Sequence, residues 1–137
     1  MNIHTIADHL NSLADNSDTG MSFDCQPISG EVDVLQISII GREEIPVFVS
    51  VTEDQILCIS YLWGVDEVKS DSIAAMHESI LEMNIPMPLS AFAKSGEKDG
   101  MGGALSINSS YSDVEHELAV LSNNALEVID DMSDYLN

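Results

Sequence analysis

The stretch Ile45-Pro-Val-Phe-Val-Ser-Val-Thr-Glu-Asp-Gln-Ile-Leu-Cys-Ile-Ser-Tyr-Leu-Trp63 reads as two β-strands joined by a short acidic turn, and the rest of the fold follows from it. Ile45, Val47, Val49 and Val51 alternate with Pro46, Phe48, Ser50 and Thr52, so the first strand has one aliphatic face and one mixed face. Pro46 has no N–H to donate, which places it at the start of the strand or on a sheet edge. Two further strand-like runs lie upstream, at 21 to 28 and 32 to 40, divided by Ser29-Gly30 and followed by Gly41-Arg-Glu-Glu44. Four strands linked by such short turns imply an antiparallel meander. The apolar phase of the second run changes between Val34 and Leu35, which marks a place for a bulge.

Helices flank this meander. Ile3, Ile6, Ala7, Leu10, Leu13 and Ala14 recur every three or four residues opposite Asp8, Asn11 and Asp15, and the helix ends by the turn cluster Asn16 to Gly20. A second helix is expected from about Ser70 to Asn84, with Ser70 or Ser72 as its cap and Ile73, Met76, Ile80, Leu81 and Met83 on or beside its buried face. Pro86 and Pro88 stop it. Leu89 to Lys94 and Gly103 to Asn108 read as a hairpin around a longer, mobile turn at Gly96 to Gly100. Last, Ser112-Asp-Val-Glu115 has the form of a capping box, followed by Val114, Leu118, Leu121, Ala125, Val128, Met132 and Tyr135 at four-three spacing. Leu126, Ile129 and Leu136 widen that stripe, so it suits packing on a sheet at least as well as a coiled coil. The order α-β-β-β-β-α-β-β-α predicts one α+β domain over residues 1–137, with an antiparallel sheet of about five to six strands and three helices.

Composition narrows the function. Against 24 Asp and Glu stand four basic residues, Arg42, Lys69, Lys94 and Lys98, for a formal charge of −20. Nucleic acid and anionic membrane surfaces both bind through Lys and Arg, so neither is expected as a direct partner. The N-terminal Met1 to Asp8 lacks the basic and apolar regions of a secretory signal, and no apolar run nears the ~20 residues of a spanning helix, which points to the cytoplasm. Cys25 and Cys58, far apart on expected strands, are most simply two reduced thiols.

The element order resembles that of the small acidic chaperones of type III secretion, which implies a dimer that holds other proteins and performs no chemistry. Within it, Leu81-Glu-Met-Asn-Ile-Pro-Met-Pro-Leu-Ser-Ala-Phe-Ala-Lys94, followed by Gly103-Ala-Leu-Ser106, resembles the uncharacterised bacterial family typified by YjfI. That resemblance spans nearly the whole chain and carries over no catalytic residue. It implies a protein partner, a membrane-stress protein related to phage-shock protein A. The glycine-rich Gly100-Met-Gly-Gly103 departs from the bulkier residues expected there.

Known catalytic and ligand patterns are not met. His77-Glu78 and His116-Glu117 begin an H-E-x-x pattern, but Leu81 and Val120 stand where the second His of a zinc site belongs. His4 and His9 are five apart, too far to share a metal on one helix face. No G-x-S-x-G and no calcium-loop spacing occurs, and the Gly100 to Gly103 stretch lacks the Lys-Ser/Thr of a phosphate loop. Hence no cofactor, metal or catalytic residue is assigned. Two features remain. Glu127, Asp130, Asp131 and Asp134 crowd the end of the last helix, where the macrodipole disfavours negative charge; they either solvate an outer face or attract a basic partner segment. Tyr61 and Trp63, with Leu62 between them, are either core or an interface anchor. The expectation is a non-enzymatic, homodimeric adaptor for a basic or amphipathic segment of another protein; the alternative is a small-ligand or enzymatic domain whose site is dispersed in sequence.

Overall fold

The computed structural model describes residues 1–13 and 17–137. Helix α1 (Ile3–Leu13) leads into a four-strand meander, β1 (Phe23–Ile28), β2 (Val34–Ile39), β3 (Val47–Val51) and β4 (Gln55–Gly64). Helix α2 (Ile73–Met83), the hairpin β5 (Ala91–Ser95) and β6 (Lys98–Ser106), and helix α3 (Tyr111–Asp131) complete the order expected from the sequence. The six strands form one sheet in the order β1-β2-β3-β4-β6-β5, every neighbour antiparallel. The expected Ala14, Asp15 and Asn16 at the end of the first helix lie outside the described residues.

Period-two alternation decides which face is covered. Leu35, Ile37 and Ile39 on β2, Val47 and Val49 on β3, and Ile56 and Cys58 on β4 all point to one side and are buried. On that side α1 packs on β1 to β3 through Ile3, Ile6 and Leu10, while α3 packs on β4 and β6 through Val114, Leu118 and Leu121. Burying each of these aliphatic side chains stabilises by about 1.5–3 kcal/mol, so the two amphipathic stripes are what fix the helices to the sheet. Buried Met76 of α2 joins the same core. The chain end is tied in as well: Lys69 N–H donates to the Tyr135 carbonyl at 2.8 Å, and Asn137 N–H to that of Glu67 at 2.8 Å.

Five local expectations are corrected. The glycines at 100, 102 and 103 are strand, not loop: β6 starts at Lys98, and the hairpin closes on Gly96-Glu97 with Gly96 at φ 59°. That is a two-residue turn with glycine where the backbone must be left-handed, not a longer mobile one. Small residues are needed in β6 because a Cβ on Gly102 would sit 2.5 Å from the Cys58 carbonyl oxygen, and one on Gly103 would overlap the Glu117 carboxylate. The bulge lies in β4 between Tyr61 and Trp63, not in β2, whose pairing is regular because Val34 begins the strand on the outward face. The α3 cap is Ser110: its Oγ accepts from Asp113 N–H and the Asp113 carboxylate accepts from Ser110 N–H, both at 3.1 Å. Glu115, expected to close the box, is instead buried and accepts from the N–H and hydroxyl of Thr19 at 3.1 and 2.9 Å. Ser72 does occupy the α2 cap position, but no side-chain cap bond forms; its hydroxyl faces Asp71. Finally, Leu81 is not on the buried face of α2 but 67% exposed.

Candidate partner-binding surface

Past α2, the chain Asn84 to Ser90 must turn back onto the sheet, and two prolines leave it few backbone hydrogen bonds of its own. Side-chain amides supply the anchorage. Asn124 of α3 donates to the Pro88 carbonyl at 2.9 Å and to Ser90 Oγ at 3.0 Å, and Asn84 Oδ1 accepts from Phe92 N–H at 2.6 Å. Held this way, Met83, Pro86, Met87 and Pro88 face Val128 of α3 across a groove of about 170 Å³. Glu127 and Asp131, one helical turn apart, form its acidic rim. The groove thus combines an apolar floor with two carboxylates.

All four expected acidic residues, Glu127, Asp130, Asp131 and Asp134, are exposed. The structure divides them: Glu127 and Asp131 line the groove, while Asp130 and Asp134 do not. Asp134 lies beyond α3 in a 3-10 turn over Ser133–Tyr135. Lys69, distant in sequence, donates through Nζ to the Asp134 backbone carbonyl at 2.9 Å and so supplies one cation near that helix end.

Tyr61 and Trp63 do not form one cluster, because the bulge between them turns them to opposite faces of β4. Trp63 is 3% exposed, and its indole N–H donates to Asp99 Oδ2 at 2.8 Å. Tyr61 lies on the outer face, tilted against Phe48 with ring centroids 5.8 Å apart and with Lys98 Nζ 5.4 Å above its ring. Tyr61 therefore remains available as a surface anchor and Trp63 belongs to the core.

Sequence reasoning missed the groove floor and a polar cluster. Asp99 Oδ2, besides Trp63, faces His77 Nε2 at 3.2 Å, at one side of a second cleft of about 280 Å³ with Ile80, Leu81, Phe92 and Lys94. Among the described residues, no Ser, Thr or Cys lines that cleft to act as a nucleophile. The His77 to Asp99 separation in sequence carries no pattern that would have paired them. The groove had a visible signal, the Pro-Met-Pro run, which reads first as a turn. Burial pushes the Cys25 thiol up to about 11, with help from the Asp24 charge, and the Cys58 thiol up to about 12, with help from Glu117. Both thiols are free. Two strands separate β1 from β4, roughly 14 Å across the sheet, too far for a disulfide. Among the described residues, no group of three His, Cys, Asp or Glu is placed to hold a metal ion, and no helix is long and apolar enough to cross a membrane.

The model of a bacterial family described as "Uncharacterized protein conserved in bacteria (DUF2170)" matches residues 3–136. The chain belongs to this family. That match bears out the resemblance to an uncharacterised bacterial family, although its description does not carry the YjfI name. Among solved structures, the chain is similar to one from the crystal structure of the ExsC-ExsE complex, with 13% identity and a TM-score of 0.50 over 90% of this chain and 86% of that one. At that identity the likeness is one of fold alone, and it agrees with the secretion-chaperone-like α+β arrangement expected from the element order. No curated protein matches the chain.

Proposed function

We propose that this chain is a non-enzymatic, chaperone-like adaptor that holds a basic amphipathic segment of another protein in the groove between the Pro86-Met87-Pro88 loop and α3. The observation that carries the reading is the groove itself, where Met83, Met87 and Val128 offer an adaptable apolar floor and Glu127 and Asp131 stand at its rim. A helix or extended segment with apolar residues on one side and Lys or Arg on the other would satisfy both. The charge of −20 adds long-range attraction for such a segment and repels nucleic acid and anionic lipid. The similar solved chain comes from a two-protein complex, which supports a protein as the partner. A cytoplasmic location fits the thiols, both free and held well above their ordinary pKa by burial. The finer identification of the partner as a phage-shock-protein-A-like membrane-stress protein rests on the sequence resemblance alone.

The test is affinity purification from the native host with wild type and with the variant Glu127→Gln/Asp131→Asn, read by quantitative mass spectrometry. The reading expects one or a few proteins with basic amphipathic segments to be enriched by wild type and lost from the variant. Equal recovery by both would remove the groove from the account. A small molecule bound in the His77 and Asp99 cleft, with no protein enriched, would favour the ligand-binding alternative.

A further inference from the structure

The helices cover one face of the sheet and leave the other open. Strand register places Ile28 and Val34, Phe48, and Leu57, Ile59 and Tyr61 together on that open face, around a concavity of about 530 Å³. Leu57 is 38% and Ile28 41% exposed. In a chain of 24 acidic residues, the outward positions of the six strands carry one acid, Asp24, and one base, Lys98. An acidic protein that merely solvated this face would not keep carboxylates off it.

We propose that a second copy of this chain covers the open face, packed sheet to sheet about a two-fold axis parallel to the strands. Four features favour a copy of the same chain. The face is uneven in a self-complementary way: β1 to β4 carry the large side chains, while the outward residues of β6 and β5 between Lys98 and Ser106 are Gly100, Gly102, Ala104, Ala91 and Ala93. Such an axis lays the bulky β1 and β2 of one copy over the low β5 and β6 of the other. It also brings the β1 edge, which carries Asp24, over the β6-β5 side of the partner's sheet, where Lys98 stands on β6 one strand in from the edge, twice by symmetry. Six strands ~4.8 Å apart and about three to four side-chain rows ~6.8 Å apart cover roughly 600 Å² per copy, or ~1,200 Å² in total, the lower end of what a specific interface needs. Two chains of charge −20 can approach closely only where charge is sparse, and here it is. This inference goes beyond the groove reading and does not depend on it, since the groove lies on the helical side.

Sedimentation velocity at tens of micromolar tests it with the full chain. Wild type should be a dimer, and Leu57→Glu, at a position exposed in the single copy, should be a monomer with an unchanged far-UV circular dichroism spectrum. Asp24→Lys and Lys98→Asp should each weaken the dimer about tenfold, and the two together should restore it, since the exchange leaves the net charge unchanged. A monomeric wild type, or a dimeric Leu57→Glu protein, would overturn the proposal. Failure of the double exchange to restore what the single changes lose would overturn the parallel two-fold arrangement.

Discussion

Replacing Glu117 by Gln should stabilise the protein at neutral pH. Glu117 sits on α3 facing β6, 3% exposed, and its Oε1 is a buried oxygen without a hydrogen-bond partner among the described residues. Gly103 is a glycine because this carboxylate and the Leu89 carbonyl both press against the space a Cβ would fill. Burial holds the carboxyl above its ordinary pKa near 4.5, partly opposed by the charge of His116. A carboxyl whose folded pKa is raised binds its proton more tightly in the folded chain than in the unfolded one. Its ionised form therefore costs stability at all pH above the folded value, and the cost falls away as pH drops through that value toward 4.5. An unsatisfied buried acceptor costs about 1–3 kcal/mol, so removing the charge with a neutral amide should recover about 1–2 kcal/mol. For a chain of this size that is about 3–7 °C in melting temperature. Thermal unfolding of both proteins at pH 7 and at pH 4 is the assay. The variant should melt higher at pH 7, and the gap should close at pH 4. A variant less stable than wild type at pH 7, or a gap independent of pH, would show that the buried carboxylate carries no such cost.

Trp63→Phe keeps an aromatic side chain but a smaller one and removes the donor to Asp99, leaving that buried acceptor with His77 alone; a loss of about 1.5–3 kcal/mol is expected by urea titration. Ser110→Ala should cost about 1 kcal/mol in the same titration, and Ser112→Ala less than half of that, because Ser110 is the α3 cap. The two thiols should resist a disulfide reagent in the native protein at pH 8 and react fully once it is unfolded, since burial holds them near 11 and 12.

Period was the most readable property of this sequence. Val47, Val49 and Val51 announce a strand with one buried face, and Val114, Leu118, Leu121, Ala125 and Val128 announce a helix, because water sorts apolar residues at periods of 2.0 and 3.6 wherever an element lies on a core. What failed was local chemistry decided by tertiary contact. Gly100, Gly102 and Gly103 look like a turn, yet they are glycines because β4 and Glu117 approach β6 closely. Ser112 offers the capping sequence; Thr19, which claims the Glu115 carboxylate from across the fold, leaves Ser110 as the cap. Trp63 follows Tyr61 by two residues, which in an unbulged strand would put them on one face. The acidic helix end was legible from charge alone. Its apolar counterpart, the Pro86-Met87-Pro88 loop, was legible only as a turn, because nothing in the sequence says that Asn124 holds that loop against Val128.

Methionine methyl NMR reads at the groove itself whether it takes a basic amphipathic segment. The chain has seven methionines, of which Met83 and Met87 line the groove while Met76 and Met101 are fully buried elsewhere. The probe is a synthetic amphipathic helix with Leu on one face and Lys on the other, added to methyl-labelled protein at low salt. The Met83 and Met87 signals should shift and broaden first, Met76 and Met101 should stay in place, and Glu127→Gln/Asp131→Asn should weaken the response several-fold. Shifts of equal size at Met1 and Met21, or an unchanged response in the variant, would contradict it.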